Sequence, residues 1–198
     1  MKLIESIFRE YDIRGTYPSE INENSIAKIG QAIALKCIEE GVSEICVGRD
    51  GRLSGKTLLE AMCKSLSESG IAVINIGLVT SPILYYAAKK NKSKSGVMIT
   101  GSHNPKNDNG IKMVINDKPV SGTEILSLTK SVKNINNKAQ IINDTSFIDQ
   151  YISEVTHKIK LHNPNRLKVV IDCGNGAAGV VAPELFKKLG CDVINLFS

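Results

Sequence analysis

The chain has 198 residues, 42% of them hydrophobic and 23% charged, enough for one domain with a real core and part of another. Its net charge of +5 comes from lysines scattered along the sequence. With no tryptophan and few aromatic residues it offers no base-stacking surface, so no nucleic acid partner is expected. Dispersed lysines suit a solvated surface first and small anionic substrates second.

No stretch approaches the length of a membrane span, and Met1-Lys2-Leu3-Ile4-Glu5 brings in a charge before any apolar signal core could form. A cytoplasmic location with no membrane partner is the expectation. Cys37, Cys46, Cys63, Cys173 and Cys191 are odd in number and widely spaced, with no Cys-x-x-Cys pair, so they read as buried thiols rather than a disulfide framework or zinc site.

In chain order, Phe8 to Gly15 packs aromatic, acidic and basic residues into a short irregular segment. Ile26, Ile29, Ile33 and Cys37 recur on one helical face, and Gly41 closes that helix. Glu44 to Gly48 reads as a strand and Arg49-Asp50-Gly51-Arg52 as a polar turn. A helix follows with Leu58, Leu59, Met62 and Leu66, stopping near Gly70, with Ser54 as its N-cap. Ile71 to Ile76 is a strand, Thr80-Ser81-Pro82 starts a helix reaching about Lys90, and Gly96 to Thr100 is a strand running straight into the Ser102 loop. Gly110 to Ile115 is a strand leaving it.

Between about Asn134 and Ser146 apolar periodicity fades, which sets a domain boundary. Residues 1–146 are expected to form a first domain and 147–198 the start of a second. Phe147, Tyr151, Ile152, Val155 and Ile159 mark a helix, and Lys168 to Asp172 a strand. Glu44 to Gly77 and Leu167 to Phe197 echo each other as strand, turn, helix, glycine, strand. Alternating strands and helices give an α/β fold: three α/β/α layers around a mixed, mostly parallel sheet in the first domain, then the incomplete start of a second, similar one. A single strand-helix-strand element cannot bury both faces of its sheet, so further chain is expected to complete it.

The chemistry centres on Thr100-Gly101-Ser102-His103-Asn104-Pro105. A serine hydroxyl becomes a nucleophile when its site positions it or supplies a base. Gly101 permits a sharp turn after the strand, after which backbone N–H groups could converge on an anion. His103 and Asn104 add donors. A serine between glycine and histidine is also an ordinary turn residue, but ligands bind at this edge of α/β sheets. Strand alternation puts Ile111 and Met113 on one face and Lys112 on the other. Lys112 could move the proton of a hydroxyl or neutralise phosphate, or be a surface lysine on an edge strand. Arg14 has a fork suited to phosphate or to a local pair with Asp12. Arg49 and Arg52 could brace neighbouring loops. Asp172-Cys173-Gly174-Asn175-Gly176-Ala177-Ala178-Gly179 has the glycine spacing of a dinucleotide loop, although Asp192 lies at the start of its strand, where a ribose-binding acid does not belong; tight strand–helix packing is the other use.

Phe8 to Gly15, Val47 to Gly55, Thr100 to Pro105, Asn109 to Lys112 and Val170 to Gly176 together resemble, in the right order, the α-D-phosphohexomutase superfamily. The likeness is to its phosphomannomutase/phosphoglucomutase branch more than to the phosphoglucosamine mutases. The resemblance implies that Ser102 is the phosphoserine and that Lys112 and Arg14 occupy the proton-transfer positions. It puts His103 and Tyr11 near substrate, with Asn104 in the same loop. It implies Mg2+ held at a phosphoryl oxygen on Ser102, with the remaining ligands beyond residue 198, where the family's aspartate-rich loop, sugar-recognition loop and phosphate clamp would lie. The implied reaction interconverts hexose 1-phosphate and hexose 6-phosphate through a hexose 1,6-bisphosphate. Beside a dianion, Lys112 would hold its proton, so it reads first as an acid and then as a base. Two other readings stay open: a non-catalytic, phosphate-binding α/β module, and a dinucleotide-binding oxidoreductase built on Gly174 to Gly179. Neither oligomeric state nor the choice between mannose and glucose is written in these residues.

Overall fold

The computed structural model describes residues 3–132, 137–163 and 167–198. After a 3-10 turn at Glu5–Ile7, strand β1 (Ile13–Thr16) leads to helix α1 (Glu23–Glu39). Asn22 caps α1 by accepting from the amides of Asn24 and Ser25, and the Ser25 hydroxyl accepts from the Asn22 amide in return. The apolar stripe then falls inward, with Ile26, Ile29, Ile33 and Cys37 fully buried, and Gly41 ends the helix at φ +69°.

Strand β2 (Glu44–Arg49), helix α2 (Gly55–Glu68) and strand β3 (Ala72–Leu78) form a pair of parallel strands joined by a crossover helix. Helix α3 (Ser81–Lys90), strand β4 (Gly96–Ile99) and strand β5 (Asp108–Ile115) follow. A two-residue strand β6 (Lys118–Pro119), helix α4 (Gly122–Thr129), strand β7 (Ile141–Asn143) and helix α5 (Ser146–Lys158) complete the first layers. The sheet order is β1-β5-β4-β2-β3-β7, with β6 beside β5. Strands β4, β2, β3 and β7 run parallel, and β5 runs antiparallel to both of its neighbours in that order, β4 and β1.

Two apolar layers sandwich this sheet. One unites Ile29, Ile33, Leu58, Met62 and Leu66 of α1 and α2 with Val47, Val97, Ile99, Ile111 and Met113. The other joins Cys46, Met98, Ile83, Leu84 and Ala87 to Phe147 and Ile152 of α5. The expected three-layer α/β/α architecture is therefore present. The first three cysteines are buried, and burial pushes each thiol up to about 12. Cys173 departs from the expectation by being only partly covered. Among the described residues, no helix is long and apolar enough to cross a membrane.

The segment around the expected boundary packs on the first sheet. Strand β7 pairs with β3, and α5 lies on α3, where the Tyr86 and Tyr151 rings meet edge to face at 5.4 Å. Part of that segment, residues 134–136, lies outside the described residues. Strand β8 (Lys168–Asp172), a 3-10 turn at Ala177–Val180, helix α6 (Ala182–Lys188) and strand β9 (Asp192–Leu196) then form a separate parallel pair. This repeats the strand-helix-strand order of β2, α2 and β3, and leaves Val170, Ile194, Leu196 and Phe197 exposed.

Glu154 clasps α5 to α3: it accepts from Lys158 at 2.6 Å, Lys90 at 2.8 Å and the Tyr86 hydroxyl at 3.0 Å. These three donors, Lys158 first, hold its carboxyl down from the ordinary 4.5 to about 2. A depressed folded value means the clasp contributes in full above the ordinary value and is lost as pH falls through about 2. Near-ultraviolet circular dichroism of the tyrosine pair is expected to change across that window, and Glu154→Gln to flatten the change; an identical profile in the variant would show that the clasp does not report there.

Candidate functional site

The parallel strands β2, β3 and β4 end at one edge of the sheet, and the turns that follow them border a cleft of about 950 Å³. Asp50, Arg52 and Ser54 line it after β2, Thr80 and Ser81 after β3, and Thr100, Ser102 and Asn104 after β4. The loop that follows β8 brings Asn175, Gly176 and Ala177 to the same cleft. A ligand at this edge is what open α/β sheets are built to take.

Ser102 stands exposed at the rim, its backbone in the left-handed region at φ +53°. Such a conformation disfavours a residue with a Cβ by about 1 kcal/mol or more, so something must hold it. The Ser102 amide donates to Thr100 Oγ1 at 2.8 Å, and that hydroxyl donates to Asp50 Oδ2 at 2.7 Å. The Gly101 amide also reaches Asp50 Oδ2, at 3.2 Å, and the Asn104 amide reaches the Gly101 carbonyl at 3.0 Å. Of the amides expected to converge on an anion, those of Ser102 and Asn104 are spent within the loop, and the Gly101 amide is spent on Asp50. The Ser102 hydroxyl makes a long contact of 3.4 Å with His103 Nδ1, and both side chains are exposed.

Arg52 closes the loop from below. Its Nε donates to Asp50 Oδ2, Nη1 to the carbonyls of Pro105 and Asp108, and Nη2 to those of Ser102 and Asn104. The guanidinium lies over Gly101, where a Cβ would stand 2.2 Å from Arg52 Cζ. The sequence allowed Arg52 only a bracing role, and the extent of that role was invisible because its acceptors are remote in the chain. Ser54 sits at the N-cap position of α2 but makes no capping bond; its hydroxyl accepts from Asn109 Nδ2 at 2.8 Å instead.

Arg14 joins the loop through its side chain, donating to Asn104 Oδ1 at 2.8 Å while its other terminal nitrogen pairs with Asp12 at 2.5 Å. The expected pair with Asp12 is present, and the rest of the fork reaches Asn104 of the Ser102 loop. Strand β1, unrecognised in the sequence, supplies Arg14: Arg14 lies opposite Gly110 on β5. By alternation Lys112 shares that face of the sheet, opposite Met98 on β4, with Ile111 and Met113 buried on the other side. Strand β5 is interior, between β4 and β1, so Lys112 is not an edge-strand lysine. Lys112, Arg14, His103 and Tyr11 do not line the cleft itself. Tyr11 is 82% exposed in the turn before β1.

The glycine loop after β8 is internally satisfied. Gly174 donates to Asp172 Oδ1, Asn175 to the Phe197 carbonyl, and Gly176 to the Cys173 carbonyl. A four-residue 3-10 turn follows in place of the α-helix N-terminus on which a pyrophosphate sits in the dinucleotide pattern. Among the described residues, no group of three or more His, Cys, Asp or Glu side chains could hold a metal ion. The carboxylates near Ser102 are engaged elsewhere, Asp50 by the loop and Asp12 by Arg14.

Known proteins share this fold. The chain is 45% identical to a phosphomannomutase/phosphoglucomutase of Pseudomonas putida, over 98% of this chain and 42% of that protein. It is 39% identical to a phosphoglucomutase of Neisseria gonorrhoeae, over 98% of this chain and 43% of that protein. A crystal structure of a phosphoglucomutase/phosphomannomutase family protein from Burkholderia thailandensis superposes with a TM-score of 0.91 at 35% identity, covering 99% of this chain and 44% of that one. The chain thus spans less than half the length of these relatives. Residues 5–139 match the family model for the α/β/α domain I of phosphoglucomutase/phosphomannomutase, and the chain belongs to that family.

Proposed function

We propose that the chain is the front part of a hexose phosphate mutase in which Ser102 carries a phosphoryl group between hexose 1-phosphate and hexose 6-phosphate, by way of a hexose 1,6-bisphosphate. The observation that carries this reading is an exposed serine hydroxyl on a left-handed, cross-braced backbone at the cleft edge of the sheet. Such a hydroxyl is accessible to phosphorus in line and held against drift.

In the first half-reaction a sugar hydroxyl attacks the phosphorus on Ser102. The new O–P bond forms, the P–Oγ bond breaks, and Oγ receives a proton as the sugar hydroxyl gives one up. In the second half Oγ attacks the other phosphate of the reoriented bisphosphate, and the departing sugar oxygen takes a proton. Lys112 and Arg14, on one sheet face beside the loop, are the groups proposed to move these protons, Lys112 first as acid. His103 and Asn104 flank the transferring group, and Tyr11 meets substrate from the turn before β1.

Mg2+ would spread the charge of the transferring group. Among the described residues no group of three or more His, Cys, Asp or Glu side chains assembles as a ligand set for it, so a phosphoryl oxygen on Ser102 would be this chain's own contribution. Incubation with glucose 1,6-bisphosphate followed by intact-mass measurement and peptide mapping is expected to find a single added phosphate on Ser102. A phosphate on another residue, or none, would refute the assignment.

A further inference from the structure

Resting on the mutase reading, we propose that Arg52 is a positioning residue for Ser102, holding the loop so that the hydroxyl faces the cleft in its left-handed backbone conformation. A guanidinium has five N–H donors in a rigid planar fork. In Arg52 these are distributed over the Asp50 carboxylate and the carbonyls of Ser102, Asn104, Pro105 and Asp108, at distances from 2.5 to 3.2 Å. Every donor is thus taken by a buried or loop-facing acceptor, and the side chain is only 12% exposed. Arg52 cannot grip a substrate phosphate without releasing the loop, so its action on the reaction passes through Ser102.

The orientation it imposes is specific. Drawing the Ser102 carbonyl toward Nη2 turns the His103 N–H, antiparallel to it across a trans peptide, away from the guanidinium. Among the described residues that amide has no acceptor. It is the donor next to Ser102 left available to an incoming phosphoryl oxygen after its neighbours are consumed. Asp50 completes the device by orienting Arg52 through Nε and through the Arg52 amide, at 3.1 Å, while fixing Thr100, which holds the Ser102 amide. Gly101 leaves the space in which the guanidinium lies.

A lysine would keep the charge but not the fork, which separates positioning from simple electrostatics. In the full-length enzyme, Arg52→Lys and Arg52→Ala are expected to lower kcat for glucose 1-phosphate by about 100-fold with KM within about two-fold, because a misplaced nucleophile slows transfer without altering substrate contacts. Methylguanidinium added to Arg52→Ala should restore part of the rate. The strong intraresidue amide-to-α-proton cross-peak that a left-handed Ser102 gives in NMR should weaken in Arg52→Lys while shifts of the α1 and α2 core stay put. If the unmodified chain takes no phosphate on Ser102, the mutase reading fails and this proposal with it. If it does, and Arg52→Lys turns over within about two-fold of it or retains the cross-peak, the proposal alone is overturned.

Discussion

Replacing Ser102 by alanine in the full-length enzyme is expected to cut the conversion of glucose 1-phosphate to glucose 6-phosphate by roughly 10⁴-fold or more, the scale seen when a covalent nucleophile is removed. The loop should survive the change. Its bonds at this position come from the backbone, through the amide to Thr100 Oγ1 and the carbonyl to Arg52, and the side chain is exposed with only a long contact to His103. Unfolding free energy should therefore move by no more than roughly 0.5 kcal/mol, as for other exposed substitutions. A coupled assay beside urea unfolding checks both halves. Activity above a tenth of the unmodified level would remove Ser102 from the centre of the chemistry.

Gly110→Ala is expected to damage the fold itself. A Cβ at Gly110 would stand 2.4 Å from the Ile13 carbonyl oxygen and 3.0 Å from that of Thr100, both backbone atoms that cannot swing aside. Gly110 lies opposite Arg14 on β1, and its own carbonyl accepts from the Thr100 amide at 2.9 Å, where β4 enters the Ser102 loop. One methyl group would thus wedge β1, β5 and the loop entrance apart. A destabilisation of roughly 2 to 3 kcal/mol is expected, at the upper end for overpacking, read as a lower urea midpoint at unchanged slope. A midpoint equal to that of the unmodified chain would mean that the strands separate at no cost.

Helices α1, α2 and α3 and strands β2 to β5 were legible in the sequence because their apolar residues repeat at the spacing that one-sided burial demands. Ile26, Ile29 and Ile33 face inward on α1, and Ile111 and Met113 on β5. Strand β7 gave no such signal: Ile141, Ile142 and Asn143 are all exposed, and it exists through its pairing with β3. Strand β1 is four residues long and is made by the ladder with β5. Helix α4 buries Ile125 and Gly122 alone on a surface against α1, too little for a period to show.

The same division runs through the site. Ser102 stands out as a candidate because glycine, serine and histidine at the end of a strand form a local pattern. The Arg52 clamp joins residues 50 to 56 positions apart and has no local pattern to betray it. The domain boundary was sought where periodicity fades, yet Phe147 and Ile152 complete the core layer over Cys46 and Met98. A polar connecting segment says where a chain runs over the surface, and only packing says which core the next helix serves.

The pairing of β1 with β5 also sets an order of events during synthesis. Ile13 lies opposite Ile111 and Thr16 opposite Asp108, so β1 has no neighbour on this side to zip onto until residues more than 90 positions later have been made. Through that interval its ladder groups stay open to other nascent chains, a hazard for chaperones to manage. Arg14 is thus translated well before β5, the strand that seats it.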